Sequence, residues 1–292
     1  MTKTLSPNSK KPFPVAFFGN RRGLGFVALT LVIGVVVLFP LATLVLMALG
    51  GGAESLTHVI RYVLPRTLST TAVLMMGVVV GTGVIGTISA WLVMTFRFPG
   101  RRFFLWALVL PLAIPSYLGA YAFVEFLSFT GPPQTLLRGI MGFESARDYW
   151  FPSVRNTGGA ALILSLVFYP YVYLACVALL KLQGNRLVEA SRALGKGPLG
   201  TLWGVLLPLL RPAIAAGVVL ALMETLNDIG AVEFLGVETI TFTIFDTWLT
   251  RRDAQGAAQM TLALLLLVFA LVLAERWARN RQNDALAGKR PT

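Results

Sequence analysis

Long apolar runs, interrupted by short polar stretches, set the pattern of this chain. A helix needs about 20 apolar residues to cross a hydrocarbon core of roughly 30 Å. In that solvent only internally bonded backbone is stable, so each run reads as a helix. Six spans are predicted: Leu24–Leu49, Leu68–Thr95, Phe103–Leu127, Gly158–Leu180, Ala213–Ile229 and Ala257–Glu275. The third contains Pro111 and Pro115, and the fourth contains Pro170. The expected fold class is an all-α membrane protein of six transmembrane helices. Residues 1–23 form an amino-terminal tail, 24–275 the membrane domain with a polar loop at 181–212, and 276–292 a carboxyl-terminal tail.

Composition agrees with this pattern. The chain has 292 residues, 56% hydrophobic and 13% charged, where a soluble domain carries about 25% charge. Its 25 Lys and Arg against 13 Asp and Glu give a net charge of +12. Most basic residues flank the apolar runs, which reads as topology and not as nucleic-acid binding. Eighteen of them fall on the side that holds both termini, the Arg97–Arg102 loop and the 181–212 loop, against seven on the other. The positive-inside rule therefore puts both termini and that loop in the cytoplasm. The first run, about 26 residues, exceeds a signal-peptide core of roughly 7–15 and reads as an uncleaved span. Trp150 and Phe151, in the long external loop before the fourth run, suit either the membrane interface or a soluble partner.

Several chemistries drop out. Cys176 is the single cysteine and His58 the single histidine, so no disulfide framework or His/Cys metal site is expected. "GTGVIG" at Gly81–Gly86 matches a dinucleotide pattern but lies inside an apolar span; there, small residues such as the Gly77/Gly81 pair let helices pack closely. The Gly195–Lys196 pair is followed by Gly197, where a phosphate loop needs Ser or Thr. Nothing resembles a hydrolase site, and a non-catalytic chain is expected. If it uses ATP, another polypeptide binds it.

The polar loop carries the most informative stretch, "EASRALGKGPLGTLWGVLLPLLRP", Glu189–Pro212. Leu187, Ala190 and Leu194 recur at helical spacing, and Gly195, Gly197 and Pro198 end that helix. A second short helix can start at Pro198, with Leu199, Leu202, Trp203 and Leu206 sharing a face. Pro208 and Pro212 then separate it from the fifth span. Two readings stay open on these grounds: a loop lying on the bilayer interface, or a knob that inserts into a partner protein.

Glu189-Ala190-Ser191, three residues, Gly195, nine residues, Val205, one residue and Leu207-Pro208 resembles the EAA motif of permeases from binding-protein-dependent ABC importers. Ser191 replaces the third motif residue and Val205 replaces Ile. "LPLAIPSYLGAY", "SLVFYPYVYL", "RPAIAAG" and "ALMETLNDIGAVEFLGVETITFTIFDTW" are similar to the N-terminal half of ferric iron transporter permeases. The resemblance implies a type I importer permease bundle in a bacterial inner membrane. It implies coupling helices that dock on separate ABC ATPase subunits through Glu189, Ala190, Ser191, Gly195, Val205, Leu207 and Pro208. ATP and Mg would then belong to those subunits, with no cofactor in this chain. It also implies a periplasmic substrate-binding protein and a second permease module. That family usually carries two six-span modules in one chain, and one is present here.

Ionisable residues inside spans are costly and point to a pathway. Glu224 and Asp228, four apart on the fifth span, share a face beside Asn227, and Glu233 follows Gly230. Tyr169 and Tyr173 share a face of the fourth span, and Glu125 closes the third. Oxygen donors suit a hard ion such as Fe³⁺. The alternative is that these groups bond between helices and fix the bundle. Other cargoes of the same importer class (thiamine, polyamine, sulfate, phosphonate) fit the same spans. A transporter or channel working without an ATPase is the contrasting class.

Overall fold

The computed structural model describes residues 21–193, 195–266 and 268–269. Most of the expected amino-terminal tail, Leu194, much of the sixth run beyond Leu266 and the carboxyl-terminal tail lie outside these. The helices are α1 (Arg21–Gly50), α2 (Ala53–His58), α3 (Leu64–Thr95), α4 (Arg101–Ala107), α5 (Ser116–Leu127), α6 (Pro132–Met141) and α7 (Thr157–Leu179). They continue with α8 (Asn185–Ala193), α9 (Pro198–Thr201), α10 (Leu207–Asn227), α11 (Ile229–Phe234), α12 (Ile240–Leu249) and α13 (Ala254–Leu266). There is no strand among the described residues. Four helical stretches are long and apolar enough to cross a membrane: Gly25–Gly50, Leu56–Thr95, Thr157–Leu182 and Pro198–Asn227.

The third expected span is not one continuous helix. It breaks between Arg101–Ala113 and Ser116–Met141, which meet at 100°. Pro111 and Pro115 cause the break, because neither can donate to the turn before it. The backbone tightens to 3₁₀ bonding at Leu110–Ala113, and Val109 N–H bonds to the Trp106 carbonyl. The Leu105 carbonyl, thereby left without its helical partner, accepts the Tyr173 hydroxyl at 3.2 Å. The fifth expected span also differs. Pro208 and Pro212 do not separate it from the preceding short helix, and the helix runs unbroken from Pro198 to Asn227. A π turn at Leu202–Leu206 bonds Leu207 N–H to the Leu202 carbonyl, and that one-residue widening lets the helix carry Pro208.

The centre of the fold is α7, packed against α3 and α10. Small residues set the separation. A Cβ on Gly77 would meet the Ala161 side chain at 2.6 Å, and one on Gly81 would overlap Ser165. On Gly86 it would meet Val172 Cβ at 2.7 Å and the Tyr169 carbonyl at 2.8 Å. Gly217 of α10 lies on α7 from the other side, where a Cβ would fall 2.5 Å from Val172 Cα. The α3 register against α7 advances in the same sense along both helices, so the two run parallel. Gly217 packs near Val172, while Leu206 and Leu210 pack with Leu180, so α10 runs antiparallel to α7. One end of the bundle thus gathers Thr95, Leu180 and Leu202; the opposite end gathers Leu64, Thr157 and Asn227.

Peripheral elements also attach through polar contacts. Arg101 donates from Nε to the Val93 carbonyl at 2.6 Å and from Nη2 to Met94 at 3.3 Å, which satisfies the exposed carbonyl end of α3. Thr71 accepts the Ile240 N–H at 2.9 Å and donates to Thr67, docking the start of α12 on α3. Gln259 of α13 donates to the Ala48 carbonyl at 3.2 Å. Most of α1 is otherwise exposed apolar surface, the surface a bilayer solvates.

Gly86→Ala is expected to lower stability by about 1–3 kcal/mol, because the α7 backbone blocks the added methyl. Gly34→Ala on open α1 should change it by no more than about 1 kcal/mol, in the stabilising direction. Thermal unfolding of both variants in detergent checks this contrast.

Candidate functional site

The Glu189–Pro212 stretch forms a helical hairpin at the Leu180 end of the bundle. α7 passes through a π turn at Leu180–Gly184 into α8. Lys196 N–H bonds to the Ser191 carbonyl at 3.1 Å, and Gly195 takes φ +77°. That is the Schellman arrangement: a left-handed residue just past the helix end lets the chain return and cap the last carbonyls. The chain then enters α9 at Pro198, a first-turn position that needs no N–H.

Of the motif residues, Glu189 and Ala190 are exposed, and Ser191 is buried. The Ser191 Oγ and Thr201 Oγ1 atoms lie 2.9 Å apart, and both residues are almost fully buried. This hydroxyl bridge clasps α8 to α9. Its position accounts for Ser191 at the third motif place: the side chain serves the hairpin's own packing and is not available to a partner. Val205 falls on the π turn, and Leu207 and Pro208 open α10. The expected common face of Leu199, Leu202, Trp203 and Leu206 splits in two. Leu202 and Leu206 are buried at 9% and 0%, while Leu199 and Trp203 stand 64% and 67% exposed. The 199/203 and 202/206 pairs form adjacent helical stripes, and the edge of the bundle runs between them. Glu189, Ala190, Leu199 and Trp203 are therefore among the exposed residues of the hairpin.

The acidic residues collect at the opposite end. Glu224 and Asn227 lie on the last turn of α10 and are exposed. Asp228 is not on that helix face. With φ −83° and ψ 76° it ends α10, and its side chain accepts the Ala231 N–H at 3.0 Å to cap α11. Its Oδ2 is buried with no protein partner. Glu233, on α11, lines a cleft with Tyr117 and Tyr121 of α5, and Glu125 is exposed near the end of α5. Among the described residues none of Glu125, Glu224, Asp228 and Glu233 forms an ion pair; the pairs present are Arg66–Glu238 and Arg251–Asp246.

Tyr169 and Tyr173 are buried in an apolar cluster with Trp91 and Leu206. Tyr173 spends its hydroxyl on the broken third span, as an interhelical bond. Tyr171, two residues from each, faces elsewhere, toward Glu224 of α10. Sequence reasoning missed Tyr171 because a pair four apart stands out as a face. Its signal was the neighbouring apolar pattern: the buried stripe Val172–Tyr173–Cys176–Val177 turns 169 and 173 inward and leaves 171 at the edge.

Residues 82–283 match the family described as binding-protein-dependent transport system inner membrane component, and the chain belongs to that family. It is similar to the Fe(3+)-transport system permease protein FbpB 2 of Haemophilus influenzae, 29% identical over 262 residues, 89% of this chain and 47% of that one. The chain thus spans about half the length of that relative. It is also similar to the putative 2-aminoethylphosphonate transport system permease protein PhnU of Salmonella choleraesuis, 26% identical over 86% of this chain and 90% of that one. The probable sulfate transport system permease protein cysT of Nephroselmis olivacea is 28% identical over 68% of this chain and 70% of its own.

Ser191→Ala leaves the buried Thr201 hydroxyl without its partner and should cost about 1–3 kcal/mol. Adding Thr201→Val removes both polar groups and should recover part of that loss. Thermal midpoints of the two single variants and the double variant test the coupling.

Proposed function

We propose that the chain is the membrane-spanning subunit of an ATP-driven importer whose cargo is ferric iron. The observation that carries the reading is the hairpin: the EAA spacing falls on two helices about Gly195, with Glu189 and Ala190 presented outward. ABC ATPase subunits supply nucleotide hydrolysis, with ATP and Mg bound there, and receive this hairpin in a groove. A periplasmic binding protein delivers the cargo at the other face. The chain sits in a bacterial inner membrane, with both termini and the hairpin cytoplasmic, as its basic residues favour.

Transmission follows from the uninterrupted helix Pro198–Asn227. At 1.5 Å per residue its 30 residues reach about 45 Å, from Leu199 and Trp203 beside the hairpin turn to Glu224 and Asn227 at the far end. When the ATPases close, movement of the hairpin tilts the whole rod and changes access at its acidic end. Glu224 would be costly against lipid, about 2.5–3.5 kcal/mol at mid-membrane. A second permease module facing this side of α10 removes that cost and encloses a passage bordered by Glu224, Tyr171, Asn227, Asp228 and Glu233. Several carboxylates without a paired cation suit a hard trivalent ion and repel an oxyanion. That charge pattern favours iron over sulfate or phosphonate, the cargoes named for the other relatives and the second reading.

Gly195→Pro forces φ near −65° on a residue at +77°, and Glu189→Ala removes the docking carboxylate. Both should abolish uptake and ATPase co-purification while leaving the chain in the membrane; unchanged uptake and pairing would overturn the docking role. For the cargo, the periplasmic protein that co-purifies with the importer is expected to bind Fe³⁺, and Glu224→Gln to lose most iron uptake. A periplasmic partner that binds sulfate or a phosphonate, and not iron, would replace the iron reading.

A further inference from the structure

The segment between α5 and α7 is placed by sequence in a long external loop, and its helix α6 is amphipathic in the inverted sense. The polar side of α6 faces the protein. Gln134, 8% exposed, donates to the Leu127 carbonyl at 2.8 Å and accepts from the Tyr149 hydroxyl at 2.6 Å. Arg138 donates to the Phe129 carbonyl at 2.7 Å and stacks its guanidinium 3.9 Å over the Phe129 ring. The apolar side faces away. Leu136 is 66% exposed and Ile140 71%, four apart on one stripe, with Pro132 and Gly139 beside them. Trp150, in the same connection, is 84% exposed.

In water this orientation would place the wrong face outward, since a surface helix turns its apolar stripe to the core. Position decides what covers it. Gly131 packs on the Glu125 and Phe126 carbonyls with no room for a side chain, so α6 starts directly at the end of α5. The connection also leads straight into α7, a helix of spanning length. The segment is therefore held where the spans emerge, at the boundary of headgroup and acyl chain, where apolar stripes and tryptophan side chains are stabilised.

We propose that α6 and Trp150 form a lipid-docking surface, with Leu136 and Ile140 inserted into the membrane interface. Through the Gln134 bond to the last carbonyl of α5 and the Arg138 bond to Phe129 just beyond it, this surface fixes the outer part of the broken third span relative to the bilayer. The inference needs the chain to span a membrane and is independent of cargo and ATPase, so its failure would leave the proposed function standing.

The test uses the full chain in phosphatidylcholine–phosphatidylglycerol vesicles. Cys176 is fully buried, so spin labels attach at Leu136→Cys, Ile140→Cys or, as a water-facing control, Ala146→Cys. Labels at 136 and 140 should relax strongly with oxygen and weakly with a water-soluble nickel chelate, and the label at 146 should do the reverse. Nickel accessibility at 136 and 140 equal to that at 146 overturns the proposal. So do immobile labels that neither reagent reaches, which would mean that protein covers the stripe. A second readout needs no label: brominated lipid should quench the chain's emission more than that of Trp150→Phe, and equal quenching counts against lipid contact at Trp150.

Discussion

The backbone of α7 lies so close to α3 and α10 that no side chain fits between them at Gly86 or Gly217. In lipid the apolar effect does not drive helices together, so association depends on close van der Waals packing and interhelical bonds. Glycine and alanine supply the first here. Hydroxyls supply the second: Thr71 to α12 and Tyr173 to the freed Leu105 carbonyl. With α7 gripped from both sides, the end that gathers the hairpin and the end that gathers the carboxylates hold a fixed relation.

That relation gives the long rod Pro198–Asn227 its use. A helix broken at Pro208, as local sequence rules suggest, would absorb a push at its base. The π turn at Leu202–Leu206 removes the break, and the Ser191–Thr201 bridge fastens α8 to the same base. Hairpin and rod are therefore joined by a buried bridge as well as by the chain itself. The proposed transport cycle needs this rigidity, since ATP would be spent on a separate chain and only mechanical displacement reaches the cargo route.

Much of this was legible in the sequence. The apolar runs located α1, α3, α7 and α10, the G-x-x-x-G pair named two of the α3 contacts, and Gly195 with Pro198 marked the hairpin turn. What escaped had physical causes. Local rules treat every proline as a stop, but Pro111 and Pro115 broke a helix while Pro208 and Pro212 did not; for Pro208 the difference lies in a π turn that only the bonded backbone reveals. Spacing put Glu224 and Asp228 on one face, yet Asp228 left the helix to cap α11. Burial sorted Tyr171 from Tyr169 and Tyr173, and exposed from buried residues around Trp203, because a stripe's position relative to its neighbours is a tertiary property. The inward-facing polar side of α6 was equally invisible, since amphipathicity in a sequence does not say which side meets the protein.

The proposed coupling role of the hairpin requires Ala190 to face a nucleotide-binding partner on the cytoplasmic side. A benzophenone maleimide on Ala190→Cys, photoactivated in native membranes, measures this directly. The expected product joins the chain to an ATPase subunit, and the thiol reacts with an impermeant maleimide only in inside-out vesicles. Cross-linking to lipid alone, or labelling from the same side as Ala146→Cys, would contradict the account.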